Sequence, residues 1–456
     1  MVMRESIYYI NLRQAYLLSP LYAKRMSSRT VLFTSVPKDY QDEGKLRRMF
    51  GPQVKNLWIA NDCKEMEELV TERDKVAMKL EASETKLIKL ANKNRLKAAK
   101  KGTHIEPVVE PPQPDVEGES GAVASRWVQP KQRPTHRLKP IIGKKVDTIN
   151  WCRSELASLI PKVEALQAKI RAGEGQFIGS VFVEFYTQNE AQAAYQSLAH
   201  HQPLHMSPRF IGVNPEEVIW KNLKITWSMR IIRNIATTAF VTALIIFWAI
   251  PVAFVGAISN ISALSAPGPN GEPPKLPWLS FINDIPAKIL GIVQGLLPSI
   301  LLAVLMALLP IILRLMAKLG GKPSLSSVEM AVQNSYFLFQ VIQVFLITTI
   351  TSSASAVAVQ IVSKPNIALS LLSENLPKAS NFYISYFILQ GLLISSGAIL
   401  QIVGVILFKV LGKFLDTTPR KMYKRFVTLA GLGWGTVFPV YTLLTVIGKL
   451  EPVNLH

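Results

Sequence analysis

Long apolar segments follow one another through the second half of the chain. They lie at 235–261, 287–313, 332–362, 381–408 and 437–450. The segment 381–408 contains no charged residue and is longer than the about 20 residues that a helix needs to cross a bilayer core. The segments are separated by stretches rich in Pro and Gly or in clustered Lys and Arg. This pattern predicts a membrane α-helical bundle with five spans over 235–450.

Two of these segments contain amides that a helix facing only lipid would not need. The third carries Gln340 and Gln343, and the fourth carries Gln390. An amide that lacks a partner in hydrocarbon costs several kcal/mol, so we favour a hydrated interior for these glutamines. The Ser, Thr and Gly residues between them are typical of close helix packing, and this remains the alternative interpretation of the polar positions.

The first half of the chain is polar and predicts a soluble α+β domain. Residues 1–28 form an amphipathic and basic lead-in, and 29–217 predict the order βαβ…βαβ of a ferredoxin-like sheet. RNA-binding modules use such a sheet, but only Phe182–Phe185 matches the FVxF end of their octamer. One stacking aromatic provides little binding energy, so we expect a scaffold that binds no nucleic acid.

An insertion, 62–175, interrupts the predicted sheet. It contains two stretches with seam residues every three or four positions, which predict an antiparallel helical hairpin. The seam residues are Leu69, Arg73, Val76, Leu80, Ser83, Leu87 and Leu90 in the first stretch and Ile149, Cys152, Leu156, Leu159, Val163, Leu166 and Ile170 in the second. Between them, 102–140 carries seven prolines without periodicity and is predicted to be disordered.

The charge pattern predicts an orientation in the membrane. The formal net charge is +20, and Lys and Arg cluster before the first span, between the second and third, and after the fourth. The positive-inside rule therefore places residues 1–230 in the cytosol. The segment 218–234 is predicted to lie at the membrane interface and to contact lipids. Its interfacial residues are Trp220, Lys221, Lys224, Trp227 and Arg230.

No motif in the sequence indicates catalysis. The chain lacks HExxH, a phosphate loop, paired catalytic carboxylates and a nucleophile elbow. Its two cysteines, Cys63 and Cys152, are too few for a disulfide scaffold. We therefore expect no enzymatic activity, no cofactor and no metal site.

Several sequence strings recur together in one known family. They are SRTVLFTSVP (28–37), EEVIWKNL (216–223), GLLPSILLAVLMALLP (295–310), YFLFQVIQVFLITTITSSAS (336–355), LPKASNFYISYFILQG (376–391) and GWGTVFPVYTLL (433–444). In this order and spacing they resemble the OSCA family of hyperosmolality- and stretch-gated, calcium-permeable cation channels, and a fungal member in particular. Because family members have more spans than this chain, the resemblance implies that spans are missing on each side.

The resemblance implies an anoctamin- and TMC-like fold with a pore inside each subunit. It implies a mechanically or osmotically gated, calcium-permeable, non-selective cation channel. Carried over to this chain, the pore-lining residues are Phe339, Gln340, Gln343, Phe382 and Tyr386, to which the polar pattern adds Gln390. The cytosolic domain resembles the one through which plant members dimerise, so a homodimer is expected.

One departure from the family leaves a second hypothesis open. Channel members often carry acids on the helix that matches 381–408, and this chain has none there. The alternative is a lipid scramblase or a membrane-trafficking partner without channel activity. The expected partners are membrane lipids and permeant cations, with Ca²⁺ among those considered. We expect the plasma membrane, with an endomembrane as the alternative.

Overall fold

The structure, a computed structural model, describes most of the chain. The described residues are 2–102, 127–138, 143–252, 287–347, 380–412, 416–428 and 433–450. The chain divides into two compact units, of which unit 1 comprises 1–60, 178–394 and 432–456, and unit 2 comprises 61–177 and 395–431.

The helices and strands are numbered in chain order over the described residues. The strands are β1 (Thr30–Thr34), β2 (Val54–Asn61), β3 (Thr135–Arg137), β4 (Lys145–Asp147), β5 (Phe177–Phe185) and β6 (Arg209–Ile211). The helices of the polar half are α1 (Val2–Leu17), α2 (Pro20–Ala23), α3 (Glu43–Phe50), α4 (Lys64–Lys100), α5 (Thr148–Arg171), α6 (Gln188–Gln196) and α7 (Trp220–Leu223). Those of the apolar half are α8 (Trp227–Phe247), α9 (Ala287–Leu319), α10 (Leu325–Phe339), α11 (Ser380–Leu400), α12 (Ile402–Ile406), α13 (Pro419–Val427) and α14 (Trp434–Leu450), with π-helical segments at Gln340–Ile347 and Leu407–Leu411.

The four strands expected from the βαβ…βαβ pattern form one sheet in the order β2-β5-β1-β6. Strand β1 pairs antiparallel with β5 and with β6. Alternate residues point to opposite faces of a strand, so Val31 and Phe33 are buried on one face with Leu46 of α3 and Ala191 of α6. This face and its two helices form the core of the polar part of unit 1.

The opposite face of the sheet is covered by the chain that leads to α8. Leu32 and Phe182 of the sheet pack with Val218 and Leu223. The Phe182 ring lies 5.8 Å from the ring of Trp220. The aromatic at which an RNA base would stack is therefore in contact with the protein's own tryptophan.

In unit 2, the insertion forms a long hairpin of α4 and α5. Val76 of α4 packs with Cys152 and Leu159 of α5, and nearer the other end Leu87 packs with Ile149, so the helices run antiparallel. An ion pair joins Arg153 to Glu84 across the hairpin at 3.1 Å. The hairpin is thus held by the apolar seams that the sequence pattern marks.

The prediction of disorder over 102–140 is wrong for 127–138. In this part, β3 pairs with β4, and Trp127 and Val128 pack against the cluster that contains Leu87. The Asn94 side chain also donates a hydrogen bond to the Trp127 carbonyl at 2.9 Å. Two apolar residues among prolines are too short a run to show periodicity, so the pattern missed them. Residues 103–126 lie outside the described part.

The two cysteines allow the closure of this hairpin to be measured. Burial raises the pKa of both thiols, but Cys152 is fully buried while Cys63, at the start of α4, is only half-buried. Because a maleimide must reach the sulfur, we expect it to label native Cys152 at pH 7 at least tenfold more slowly than Cys63, which corresponds to an opening cost of about 1.4 kcal/mol. Mass spectrometry of the wild type and of Cys63→Ser, with and without denaturant, measures the two rates. Equal rates in the native protein would mean that the hairpin does not close over Cys152.

The apolar helices of unit 1 pack around a second core. Ile245 and Trp248 at the end of α8, Leu309 of α9, Val332 of α10 and Val440 of α14 are buried together. The first of these helices begins at Trp227 and not at the expected residue 235. A hydropathy pattern stops at Arg230 and Arg233, but the backbone helix continues through both. Residues 253–261 and 348–362 of the predicted spans lie outside the described part.

Among the described residues, one helix, Trp227–Val252, is long and apolar enough to cross a membrane, with a mean hydropathy of 2.1. The pair Ile384–Leu400 and Gly404–Val410 also passes if it is taken as one span bent by 42°. The span predicted over 381–408 therefore contains a break. Gln401 has a φ of 48°, which a right-handed helix does not allow, and the helix breaks there.

Candidate functional site

A joint connects the sheet of unit 1 to its apolar helices. The side-chain amide of Asn222, which is 8 % exposed, donates hydrogen bonds to the carbonyls of Lys318 at 2.9 Å and Lys322 at 2.7 Å. The last carbonyls of a helix have no partner within the helix. Asn222 therefore caps the C-terminal end of α9 from outside the helix.

Backbone and hydroxyl hydrogen bonds extend this joint in both directions. The Ile219 N–H donates to the Pro323 carbonyl at 2.8 Å, next to a β-bridge between Val218 and Ser324. The Ser180 hydroxyl of β5 donates to the Leu223 carbonyl at 2.7 Å. The segment 218–226 is thus bonded to the sheet on one side and to the α9–α10 connection on the other.

Arg230, expected at the lipid interface, contributes to the same joint. Its guanidinium donates to the Thr34 hydroxyl of β1 at 3.1 Å and to the Ile225 carbonyl at 3.3 Å. The other predicted interfacial residues are exposed, and these are Trp220, Lys221, Lys224 and Trp227. The sequence alone predicts the lipid interface for Arg230, because it does not show that this side of α8 faces the sheet.

The predicted pore-lining residues of the third span begin in the apolar core. Phe339 is 1 % exposed, and its ring meets that of Trp248 edge-on at 5.7 Å. The ring of Tyr336 stacks on Phe339 at 5.8 Å. This aromatic group closes the space between the ends of α8 and α10.

Gln340 follows this group and starts the π-helical segment that continues α10. Its residue is 2 % exposed, and its Oε1 has no hydrogen-bond partner in the described part of the chain. The Tyr336 hydroxyl lies within hydrogen-bonding reach of the Gln340 side chain. A short π-helical segment is rare and occurs frequently at functional sites, so Gln340 marks the position of greatest interest in this core.

Gln343, three residues later, has a different environment. Its Nε2 donates a hydrogen bond of 2.6 Å to the Ile245 carbonyl of α8. Amide hydrogen bonds between helices stabilise helix packing in membranes. The structure therefore gives Gln343 a structural contact, and the two glutamines do not share one environment.

The fourth span contributes Tyr386 and Gln390 of α11. Tyr386 is half-buried and packs against the cluster that holds Tyr336 and Phe339, and its hydroxyl lies within hydrogen-bonding reach of Gln390. Tyr386 thus brings the fourth span to the aromatic group of the third. The side chain of Phe382 lies outside the described part.

Other residues at this site carry no sequence signal that we recognised. Arg314 of α9 forms a two-bond ion pair with Glu329 of α10, at 2.6 and 3.3 Å. Gly435 of α14 lies directly against Glu329, since a Cβ there would be 2.6 Å from its Oε2. The described residues contain no group of three His, Cys, Asp or Glu suited to a metal ion.

Two family models match successive parts of the chain. Residues 28–222 match "Cytosolic domain of 10TM putative phosphate transporter". Residues 233–449 match "Calcium-dependent channel, 7TM region, putative phosphate". The polar half is therefore the cytosolic domain of a multi-pass membrane protein, and the apolar half is its membrane region.

Individual relatives agree with these matches. Protein RSN1 of Saccharomyces cerevisiae is 46% identical over 98% of this chain and 45% of its own length, and Phosphate metabolism protein 7 of the same yeast is 38% identical over 98% and 44%. Hyperosmolality-gated Ca2+ permeable channel 3.1 of Arabidopsis thaliana is 30% identical over 63% of this chain and 38% of its own length. The chain spans less than half the length of these relatives. It belongs to the OSCA/CSC1 family.

Proposed function

We propose that this chain belongs to a calcium-permeable, non-selective cation channel subunit that membrane tension or osmotic stress opens. The observation that carries the proposal is Gln340, a buried amide whose Oε1 has no partner in the described residues and which starts a π-helical segment. The Tyr336 hydroxyl is within hydrogen-bonding reach of Gln340, and Tyr336 belongs to the buried cluster against which Tyr386 of α11 packs. This arrangement supports a closed gate next to a polar group that water and cations would reach on opening.

The mechanism follows from how this contact is made. Tyr386 packs against the buried cluster that contains Tyr336 and Phe339, and a contact between aromatic rings contributes about 0.5–1.5 kcal/mol beyond its area. Tension that widens the bundle would separate α11 from α10 and expose the Gln340 amide to water. A π-helical segment carries an extra residue in its turn and can change register at small cost, which would let the path widen without unfolding α10.

In this proposal the cytosolic domain is a scaffold that holds the segment before α8 and transmits force to the membrane helices. The sheet order β2-β5-β1-β6 supports a ferredoxin- or RRM-like domain, and its outer face is used to hold the segment before α8. Hydrogen bonds from Asn222 and Arg230 would transmit displacement of the sheet to α8 and α9. We further propose an anoctamin- and TMC-like membrane fold, and a homodimer through the cytosolic domain.

The names of relatives support calcium permeation. The Arabidopsis relative is named a hyperosmolality-gated Ca²⁺ permeable channel. By extension we propose that the chain transports ions and is not an enzyme, and that it resides in the plasma membrane. The segment 381–408 has no acidic residue to attract cations. This observation favours lipid scrambling or a trafficking role without conduction as the second candidate.

Patch recordings under controlled suction test the proposal. The protein is expressed in a host without endogenous stretch-activated current, as wild type, Tyr386→Ala and Gln390→Ala. Loss of a closed-state contact of about 1 kcal/mol should raise the open probability of Tyr386→Ala at fixed tension about fivefold. Gln390→Ala should change the single-channel conductance. Ile388→Ala is the matched control, because this residue on the same helix is 59% exposed.

The outcome separates the two candidates. A tension-activated cation current that Tyr386→Ala alters and Ile388→Ala does not supports the channel. A protein that carries no current under tension but moves fluorescent phospholipid between the leaflets of reconstituted vesicles is a scramblase. In that case the polar residues of α10 and α11 line a lipid path.

A further inference from the structure

A large open groove lies in unit 1, apart from the contact between α10 and α11. It has a volume of about 870 Å³ and is lined by α8, the C-terminal end of α9, α10 and β6. Ligand sites commonly have volumes of about 300–1,000 Å³. We call it the α8–α10 groove.

One end of the α8–α10 groove is basic. Arg209, Arg230 and Lys322 line it, and none of its lining residues is acidic. Both guanidiniums donate hydrogen bonds to neutral oxygens. Arg209 donates to the backbone carbonyls of residues 194, 195 and 197, and Arg230 donates to the Thr34 hydroxyl and the Ile225 carbonyl. In the described part of the chain, then, no carboxylate pairs with these three cations. The basic end keeps its positive charge for a ligand.

The wall of the groove is apolar and exposed. Ile231 of α8 is 41% exposed, Met330 of α10 is 61% exposed and Leu338 of α10 is 43% exposed, and Met316 of α9 also lines the groove. Inorganic phosphate or another small anion would leave this apolar surface uncovered. The combination of a basic end and an apolar wall fits an amphiphile.

Uncharged polar groups lie along the same groove. Asn234 and Thr238 of α8 and Ser327 and Asn334 of α10 line it. Hydroxyl and amide groups of this kind can bond the ester oxygens of a glycerolipid. A purely hydrocarbon ligand would leave them unused, so the ligand needs polar groups beyond its charged end.

We propose that the α8–α10 groove binds one anionic phospholipid of the cytosolic leaflet. Its phosphate would lie near Lys322 and Arg230, and an acyl chain would lie along Ile231, Met330 and Leu338. The groove begins beside β6 of the cytosolic domain, so its basic end is at the cytosolic surface of the membrane. Anionic lipids attract basic residues at that surface by about 1 kcal/mol for each Lys or Arg.

The site would affect the joint between the sheet and the helices. Arg230 bonds to Thr34, and the Lys322 carbonyl accepts a hydrogen bond from Asn222. A phosphate held by these two cations would neutralise charge beside the bonds that connect the sheet to α8 and α9. The lipid would therefore stabilise one arrangement of that joint.

Lipid binding to the purified protein tests the proposal. The protein in a maltoside detergent is titrated with dioleoyl-phosphatidylserine or dioleoyl-phosphatidylcholine, and native mass spectrometry counts the lipids retained. Lys322→Gln is compared with Lys318→Gln, which removes the same charge one helical turn earlier from an exposed residue that does not line the groove. Ala331→Trp, whose added side chain would fill the groove, tests the apolar wall.

Three unpaired cations at about fivefold each would give about a hundredfold preference before screening, so after screening we expect the wild type to bind one phosphatidylserine at least about tenfold tighter than phosphatidylcholine. Lys322→Gln should lose about fivefold and Lys318→Gln less than twofold. Ala331→Trp should abolish the site while its melting temperature stays near that of the wild type. If Ala331→Trp does not fold, the difference between the two lysine variants alone decides the proposal.

Three results would overturn this assignment. Equal binding of the two lipids, or equal losses in Lys322→Gln and Lys318→Gln, would mean that lipid adheres by charge anywhere on the surface. Displacement of phosphatidylserine by millimolar inorganic phosphate would mean that the site is for a free anion. Retention of the lipid by folded Ala331→Trp would place the lipid outside the groove.

Discussion

Replacing Gly435 with alanine should destabilise the membrane region. An added Cβ would lie 2.6 Å from Oε2 and 2.9 Å from the backbone carbonyl of Glu329, so α14 and α10 would have to separate. Moving the carboxylate aside does not solve this, because it is paired with Arg314 and the backbone contact would remain. Overpacking of this kind costs about 1–3 kcal/mol. Thermal unfolding in detergent should show a melting temperature lower by about 2–4 °C for each kcal/mol.

Gly391→Ala is the matched control for this substitution. Gly391 also lies in a helix, α11, but a Cβ there meets no described atom within 4 Å. Alanine is preferred to glycine in helices by up to about 1 kcal/mol, so this variant should be neutral or stabilised. Similar melting temperatures for the two variants would contradict the close approach of α14 to α10.

Asn222→Ala should have the second large effect, on both stability and gating. It leaves the carbonyls of Lys318 and Lys322 without their amide donor, and an unpaired buried acceptor costs about 1–3 kcal/mol. The sheet would then be less firmly bonded to the end of α9. We expect a lower melting temperature and, in patches, a change in the tension at which half the channels open.

The control for Asn222→Ala is Asn214→Ala, which removes an exposed amide that bonds Glu217. Exposed hydrogen bonds of this kind contribute little, so Asn214→Ala should behave like the wild type in both measurements. A loss of stability in Asn222→Ala without any change in gating would show that the joint holds the fold together but does not transmit force.

The elements that repeat a regular pattern were predictable from the sequence. The seam that includes Val76, Leu87, Cys152 and Leu159 gave the hairpin of α4 and α5, because burial against a partner helix needs apolar residues at helical spacing. The strand alternation gave β1 and β5 for the same reason. These features depend on local periodicity, which the sequence displays directly.

The joint at Asn222 was not predictable in the same way. Its partners are backbone carbonyls about a hundred residues later in the chain, and a carbonyl carries no residue identity. Gly435 is similar, since its need for a small side chain comes from the tertiary approach of Glu329. The break at Gln401 also depends on one backbone angle, a positive φ that glutamine does not favour, so the residue type gives no sign of it.

The two glutamines of the third span show the limit most clearly. Gln340 and Gln343 have the same chemistry and lie three residues apart, so from the sequence alone both have the same candidate role. In the structure, Gln343 donates to the Ile245 carbonyl, while the Gln340 Oε1 has no partner in the described residues. Only the positions of the neighbouring helices distinguish Gln343, whose amide makes a packing contact, from Gln340, whose Oε1 has no partner in the described residues.

Gln340→Leu therefore tests the central claim most directly. Leucine has a similar volume and removes the unpaired Oε1, but it also removes the amide within reach of the Tyr336 hydroxyl, so the free energy of unfolding should change by no more than about 1 kcal/mol. If the opened path hydrates Gln340, the tension-activated cation current of excised patches should fall severalfold in the same variant. Gln333→Leu, the same change on the half-buried Gln333 of α10, is the control and should leave the current unchanged. A stable Gln340→Leu protein with wild-type current would contradict a conduction path beside this residue.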